Sequence, residues 1–354
     1  MNVIRQKEFP LCVLCGITGV KLHESVPDRF RITAGVYNLK VCPACGLAWL
    51  DPMPLDEDLG KCYDNFFIPE NLCFIPQGGG SLFFHRQWDS LKMDILYSFY
   101  GYKHLFKNRF HAIAGFVLSW LPLARYKAEI VIRGFIPGYN SNPNALLIDV
   151  GCGKGDYLQF VKNLGWQVLG IEPSLVAAGM ARNKGLKVFE GSLFDSGLPS
   201  DYADCITLNH VLEHVPDFLA VIQECFRILK PGGKLAIRTP NTESLGHKVF
   251  GANHYSLDPP RHLFLFSPAS LKLVLNKSWF KEFKIRTRVS TARTVYDNNV
   301  VIKKTGVTVI SGLKPQKGRK WFAMRESLFW RLNKNCGEEI EAIAVKSGNQ
   351  APGR

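Results

Sequence analysis

The stretch Leu146-Leu147-Ile148-Asp149-Val150-Gly151-Cys152-Gly153-Lys154-Gly155 decides how this chain folds. An apolar run ends in an acid and passes into glycines at every second position. Such a run reads as a buried strand, and the glycines as a sharp turn that opens a helix. With no Cβ, Gly151, Gly153 and Gly155 let the backbone turn tightly and come close to a ligand. Gly170-Ile171-Glu172-Pro173 follows about one βαβ half-unit later, so Glu172 stands near the end of the next strand. A carboxylate there can accept both hydroxyls of a ribose. The spacing is GxGxG rather than the dinucleotide GxGxxG, because Asp156 occupies the place of the third glycine. The expected fold is α/β, a Rossmann-like doubly wound sheet.

Residues downstream narrow the reading. Asp204 to Leu208 (DCITL) reads as a short buried strand, followed by Asn209-His210-Val211-Leu212-Glu213-His214-Val215. Ile228-Leu229-Lys230-Pro231-Gly232-Gly233-Lys234-Leu235 reads as a helix end, a turn and a new strand. In this order and spacing, residues 144–242 resemble the class I S-adenosylmethionine-dependent methyltransferases. The resemblance implies a seven-stranded sheet, an S-adenosylmethionine cofactor and methyl transfer. It implies that Asp149 and the loop Gly151, Cys152, Gly153 and Gly155 hold the methionine end of the cofactor. Glu172, with Pro173, takes the ribose. Ser192 and Leu193, after the strand Lys187–Glu190, take the adenine edge. Many members carry an acid at the place of Ser192, and Asp195 is a substitute for it. Asn209 and His210 fall in the loop that faces the reacting methyl group. Cys152 has a plainer reading beside this one, as a small packed residue.

Near the amino end, Cys12-x-x-Cys15 and Cys42-x-x-Cys45 have 26 residues between them, and each pair is followed by glycine, Gly16 or Gly46. A CxxC turn puts two thiolates on one side of a tight loop, and two such knuckles supply the tetrahedral four-thiolate shell that Zn²⁺ prefers. With all four positions filled by protein, the expected role is structural. Several bacterial methyltransferases of sugar and polysaccharide pathways place such a module before a class I domain. This chain resembles them over residues 11–46 and 144–270.

Composition bounds the remaining choices. With 354 residues, 46% hydrophobic and 21% charged, the chain suits two or three packed domains rather than disorder. The start, MNVIRQKEFP, carries no apolar signal core, and the apolar run Phe110–Ala124 is too short for a bilayer span. The expected location is the cytoplasm, with peripheral contact at the inner membrane face left open. The formal net charge of +14 favours an anionic partner without selecting one.

The expected division is a zinc-knuckle module over 1–60, a helical linker or lid over 61–140, the cofactor domain over 141–295, a basic aromatic insertion over 296–336, and a final strand and tail over 337–354. The lid reading rests on residues 84–136, where helical patterning carries Tyr97, Phe99, Tyr100, Tyr102, Phe106, Phe110, Phe116 and Trp120 among basic residues. Phe283–Thr291 and Glu339–Lys346 fit the final strand pair by alternation. Between them, residues 301–336 hold nine Lys or Arg and a single acid, Glu326. A helix over Lys320–Lys334 would carry Trp321, Phe322, Met324, Leu328, Phe329, Trp330 and Leu332. It suits a membrane surface, a phosphate-bearing partner or a cap on the sheet.

Methyl transfer from a sulfonium needs an aligned acceptor and, for most acceptors, a base. His214 and His262 are the candidates. His262 lies in Asp258-Pro259-Pro260-Arg261-His262-Leu263-Phe264-Leu265-Phe266-Ser267, which resembles the histidine stretch of zinc-knuckle deoxysugar C-methyltransferases. Pro259, Pro260 and Arg261 depart from the tyrosine and acids of those enzymes, so O-methylation stands beside C-methylation. Arg261, His254 and Tyr255 are candidates for binding an anionic acceptor. Glu213 with His214 offers two ligands of a second metal site. The favoured acceptor is small or lipid-linked, a sugar of a surface-polysaccharide or secondary-metabolite pathway. An RNA methyltransferase and a non-catalytic scaffold are the rivals. Asn209-His210-Val211 lacks the Asn/Asp-Pro-Pro-aromatic motif of base-methylating enzymes, which places nucleic acid behind the other acceptors.

Overall fold

A computed structural model describes residues 1–64, 83–121, 124–125, 128, 135–140, 142–309 and 312–348. Strands β1 (Gln6–Lys7), β2 (Val20–Pro27), β3 (Val36–Val41), β4 (Ala48–Leu50) and β5 (Met53–Pro54) come first. Helices α1 (Phe83–Tyr100) and α2 (Arg109–Ser119) follow. Then come β6 (Leu146–Val150), α3 (Asp156–Asn163), β7 (Gln167–Glu172), α4 (Leu175–Asn183), β8 (Val188–Glu190), β9 (Ala203–Asn209), α5 (Phe218–Ile228) and β10 (Leu229–Pro240). The remainder is α6 (Leu245–Phe250), β11 (Phe264–Leu265), α7 (Pro268–Lys277), β12 (Glu282–Arg288), α8 (Ala292–Thr305), α9 (Arg319–Leu332) and β13 (Glu339–Val345).

Seven strands form one sheet in the order β12-β13-β10-β9-β6-β7-β8. β6, β7 and β8 pair in parallel, while β13 is antiparallel to both β10 and β12. This is the expected doubly wound, Rossmann-like sheet with the expected final strand pair. The chain divides into two compact units, Met1–Pro69 with Leu208–Arg354, and Glu70–Thr207.

In the unit Glu70–Thr207, alternating strand and helix bury a continuous core. α3 is amphipathic and sinks Tyr157, Leu158, Phe160 and Val161 against Leu147, Val168 and Leu186. α1 adds Ile95 and Leu96 to the same core. Tyr102 is buried there, accepting a hydrogen bond from Trp166 Nε1 at 2.9 Å and donating to the Pro137 carbonyl at 2.7 Å. Helices α1 and α2 fall within the stretch read as a helical linker or lid. Residues 122–123, 126–127 and 129–134 of that stretch lie outside the described residues. No helix among the described residues is long and apolar enough to cross a membrane.

In the other unit, β2, β3 and β4 form a second sheet that β11 completes, with Phe264 opposite Trp49. Phe218 packs edge-on against Phe264 at 4.9 Å and Phe266 at 5.2 Å, which seats this sheet on α5. The amino-terminal segment therefore shares its sheet with residues 264–265 and is not a module set apart at residue 60. The expected start of the insertion, 296, falls inside α8. The expected basic helix is α9, and its inner face is fixed by buried Phe322 and Glu326. Trp330 Nε1 donates to Thr287 Oγ1 on β12 at 3.1 Å, so the insertion caps the sheet. The turn expected at Pro231-Gly232-Gly233 is absorbed into β10: Gly232 takes φ +79°, and its N–H bonds the Lys346 carbonyl at 2.8 Å.

Candidate cofactor and catalytic sites

The glycine loop is built as its spacing predicts. Gly151, Gly153 and Gly155 hold φ of +70°, +54° and +79°, the left-handed region that L side chains rarely adopt. At Gly155 a Cβ would stand 2.5 Å from Leu186 Cδ1 and 2.9 Å from Ala181 Cβ, so close packing of α3 on α4 demands glycine. At Gly153 a Cβ would meet nothing within 4 Å, so that residue faces open space, where a ligand can approach the backbone. Glu172, buried, accepts from Gly153 N–H at 2.8 Å with one oxygen and from Ser174 N–H at 2.9 Å with the other. Glu172 thus shapes the glycine loop. Pro173 begins the turn between β7 and α4.

Asp149 is buried at the end of β6 and accepts from Thr207 Oγ1 at 2.6 Å. The Cys152 side chain is buried in the core, so any part it has in the loop falls to its backbone. A Cβ on Gly170 would lie 2.5 Å from its Sγ, which explains the glycine on β7. Burial pushes the Cys152 thiol far up, so it stays protonated and inert. Ser192 donates from Oγ to Asp195 Oδ2 at 2.5 Å, and its N–H reaches the same oxygen at 3.2 Å. Asp195 therefore stands beside Ser192 as the available acid. Leu193 is buried behind them. These residues fit a nucleoside with an attached amino acid: open left-handed glycines, a buried carboxylate at the end of β7 and the polar pair Ser192 and Asp195.

The other unit holds the candidate histidines His210, His214 and His262. Asn209 ends β9 with a buried Nδ2 that has no partner among the described residues. His210, at φ +53°, is clamped by two acids: Nδ1 lies 3.0 Å from Glu213 Oε1 and Nε2 lies 3.1 Å from Glu339 Oε1. Burial opposes its charge, but hydrogen bonds and attraction from both carboxylates outweigh that and raise its pKa to about 10. Both ring nitrogens are thus spent within the protein. The side chain of His210 is 43% exposed, and these two acids hold its ring as a cation.

Glu213 is fully buried. Its second oxygen accepts from Thr239 Oγ1 at 3.0 Å. Burial pushes this carboxyl up, but His210 more than reverses the shift and holds it at about 2. His214 and His262 lie ring to ring, 4.7 Å apart and edge-on. His262 Nδ1 donates to the Ser256 carbonyl at 2.7 Å, and His214 Nδ1 donates to the Arg261 carbonyl at 3.0 Å. A carbonyl can only accept, so these bonds put the ring proton on Nδ1 and leave the Nε2 lone pair bare on both histidines. Burial lowers the His262 pKa, and burial with the neighbouring His262 charge lowers His214 to about 4. Both rings are neutral at pH 7 and can accept a proton. Glu213, His214 and His262 offer ligand atoms within 4.8 Å of one another, yet both Glu213 oxygens are already engaged.

Two residues proposed for acceptor binding are buried in other duties. Arg261 is 2% exposed and ion-paired with Asp28 at 2.7 Å and Asp258 at 2.5 Å. His254 is 2% exposed and stacked on His247. Tyr255 remains partly exposed. Tyr63 was not singled out from sequence, and its Oη stands 2.9 Å from His214 Nδ1.

The four cysteines converge. All four thiols lie within 4.8 Å of one another, with Cys12 and Cys45 Sγ 3.7 Å apart, and none is in a disulfide. The two knuckles are copies of one turn. Gly16 N–H bonds Cys12 O at 2.8 Å, and Gly46 N–H bonds Cys42 O at 2.9 Å. Cys12 N–H bonds Ile17 O as Cys42 N–H bonds Leu47 O. Gly16 and Gly46 both take the left-handed φ that the turn requires, +67° and +72°. Four thiols in this closed arrangement fit tetrahedral Zn²⁺.

Comparison with known proteins agrees with the geometry. Residues 123–281 match a family model described as "Methyltransferase domain". A "Ubiquinone biosynthesis O-methyltransferase" of Xanthomonas oryzae is 38% identical over 128 residues, covering 33% of this chain and 53% of the relative. A "Probable S-adenosylmethionine-dependent methyltransferase" of Mycolicibacterium smegmatis is 31% identical over 97 residues, covering 27% of this chain and 38% of the relative. The chain spans about half the length, or less, of these curated relatives. The crystal structure of a SAM dependent methyltransferase from Archaeoglobus fulgidus superposes at a TM-score of 0.41 and 19% identity, over 57% of this chain and 86% of that one. The strand order is that of a Rossmann-like sheet, and the family match makes residues 123–281 similar to a methyltransferase domain.

Proposed function

We propose that this protein transfers the methyl group of S-adenosylmethionine to a small or lipid-linked acceptor, a sugar or related intermediate of surface-polysaccharide or secondary-metabolite biosynthesis. The observation that carries the reading is the left-handed Gly151–Gly153–Gly155 turn with the Glu172 carboxylate bonded into it. When bound, the cofactor supplies an electrophilic methyl group on a sulfonium. The protein's residues supply position and a proton acceptor. Gly153 gives backbone access, Glu172 takes the ribose hydroxyls, and Ser192 with Asp195 takes the adenine edge. His262 Nε2 would accept the proton of an acceptor hydroxyl, with His214 beside it as the second base. A relative named for O-methylation favours oxygen as the methylated atom.

Zn²⁺ held by Cys12, Cys15, Cys42 and Cys45 is the structural metal of this reading, and residues 301–336 are its peripheral membrane contact at the inner face. The test is binding of S-adenosylhomocysteine to the full chain by calorimetry. Saturable binding, weakened at least about 10-fold by Glu172→Ala, is expected; a charge-assisted contact of that kind contributes roughly 1.5–3 kcal/mol. No binding by the folded protein would end the reading.

A further inference from the structure

Among the described residues, α2 packs on α1 along one side. Gly115 sits so close to α1 that a Cβ would stand 2.6 Å from the Asp94 carbonyl oxygen. One turn earlier, His111 Nδ1 bonds Asp94 Oδ2 at 2.5 Å. One turn later, Ser119 Oγ lies 3.5 Å from Ser98 Oγ. Positions 111, 115 and 119 are thus the inner stripe, at the i, i+4, i+8 spacing of a helix. The opposite side carries Phe110, Ile113, Phe116, Val117, Trp120 and Leu121, all exposed, with Phe110 at 76% and Trp120 at 74%. A surface helix should turn its apolar stripe inward, so this one is inverted.

Charge identifies the occupant. From Ile95 to Ala128 the sequence has no acid and five cations, Lys103, Lys107, Arg109, Arg125 and Lys127. A second copy of this face would bring only more cations. One three-turn helix also offers less than the roughly 800 Å² per partner that a stable interface needs. An anionic bilayer answers both features, taking apolar side chains below the headgroups and cations at their level. Exposed Phe and Trp suit that interface.

We propose that the outer face of α2 docks in the plane of an anionic lipid surface. The contact belongs to the unit Glu70–Thr207, differs from the one assigned to residues 301–336, and does not depend on methyl transfer. Cosedimentation of the full chain with phosphatidylcholine vesicles, with and without phosphatidylglycerol, tests it. The wild type should bind the anionic vesicles at least about 10-fold more tightly than the neutral ones, because each basic residue near the surface adds its own attraction. Phe110→Ser with Trp120→Ser should abolish binding with the thermal midpoint unchanged, because both side chains face solvent. Lys103→Glu with Lys107→Glu should erase the preference for anionic lipid. Trp321→Ser with Leu328→Ser, on α9, should leave a measurable α2-dependent share. The proposal falls if anionic vesicles do not bind, if the α2 variants bind as the wild type does, or if the α9 variant alone removes all binding. It also falls if sedimentation shows a dimer that the Phe110/Trp120 variant dissolves.

Discussion

Arg261 Nη2 donates to Asp28 Oδ1 at 2.7 Å, with both side chains 1% exposed, and the backbone carbonyl of the same arginine fixes His214 through Nδ1. An acid of the amino-terminal sheet region thereby holds the loop that carries one candidate base and orients the other. Asp28 is itself held by the N–H groups of Phe30, Ile32 and Thr33, so it has little freedom to follow a displaced arginine. Removing one partner of a buried pair leaves the other charge uncompensated. Asp28→Ala should cost roughly 3 kcal/mol by urea unfolding. In the folded remainder it should lower kcat more than cofactor affinity. Unchanged stability would refute the positioning role of Arg261.

His262→Ala should cut turnover by roughly 10²–10⁴ and leave S-adenosylhomocysteine affinity within about 2-fold, the pattern of a lost base. His214→Ala should do the same to a smaller degree. Equal loss of cofactor binding and turnover would make either histidine structural.

The pH dependence follows from opposite shifts. As a base His262 must be neutral, and burial lowers its pKa, as it lowers that of His214 to about 4. Turnover should therefore persist below the ordinary histidine range. Over the window from about 6.5 down to 4, unfolded histidines bind more protons than these folded ones, so the pair costs stability as pH falls. His210 acts in the other direction. With a folded pKa of about 10, its contribution is fully present below about 6.5 and is lost as pH rises toward 10. His210→Gln should flatten the loss of stability between about pH 7 and 9 while keeping the acid limb. An unchanged alkaline slope in urea titrations would contradict the clamp between Glu213 and Glu339.

Chelation should remove about one equivalent of Zn²⁺ per chain and lower the thermal midpoint, because a closed site of four cysteine thiolates contributes folding energy directly. Ser267 Oγ donates to the Cys45 carbonyl at 2.8 Å, and β4 pairs with β11, so the loss should reach residues 264–267. Cys45→Ser should reproduce both effects. Protein purified without stoichiometric metal and with an unaltered midpoint would show that the thiols hold no structural ion.

Local signals were legible in the sequence. The glycines at 151, 153 and 155, the acid at 172, the CxxC knuckles and the β12/β13 pair all declare themselves by spacing or alternation within a few residues. Long-range pairings were not. Arg261 looked like an anion binder because its partner Asp28 lies 233 residues away. The grip of Glu339 on His210 was not legible either, because the two are 129 residues apart. β11 is two residues long, too short for any periodicity, yet it joins the amino-terminal sheet to the rest of its unit. Pro231-Gly232-Gly233 carries a strong turn signal, and the ladder to Lys346 overrides it. The outward apolar face of α2 was legible only as aromatic density, since side orientation depends on where Gly115 meets α1.

The most direct test is label transfer from methyl-tritiated S-adenosylmethionine to separated cell fractions: small molecules including nucleotide-sugars, extracted lipids and glycolipids, and total RNA. Label should appear in the small-molecule or lipid fraction and vanish with His262→Ala. Label confined to RNA, or no transfer by a protein that also fails to bind S-adenosylhomocysteine, would contradict the proposed methyl transfer to a small or lipid-linked acceptor.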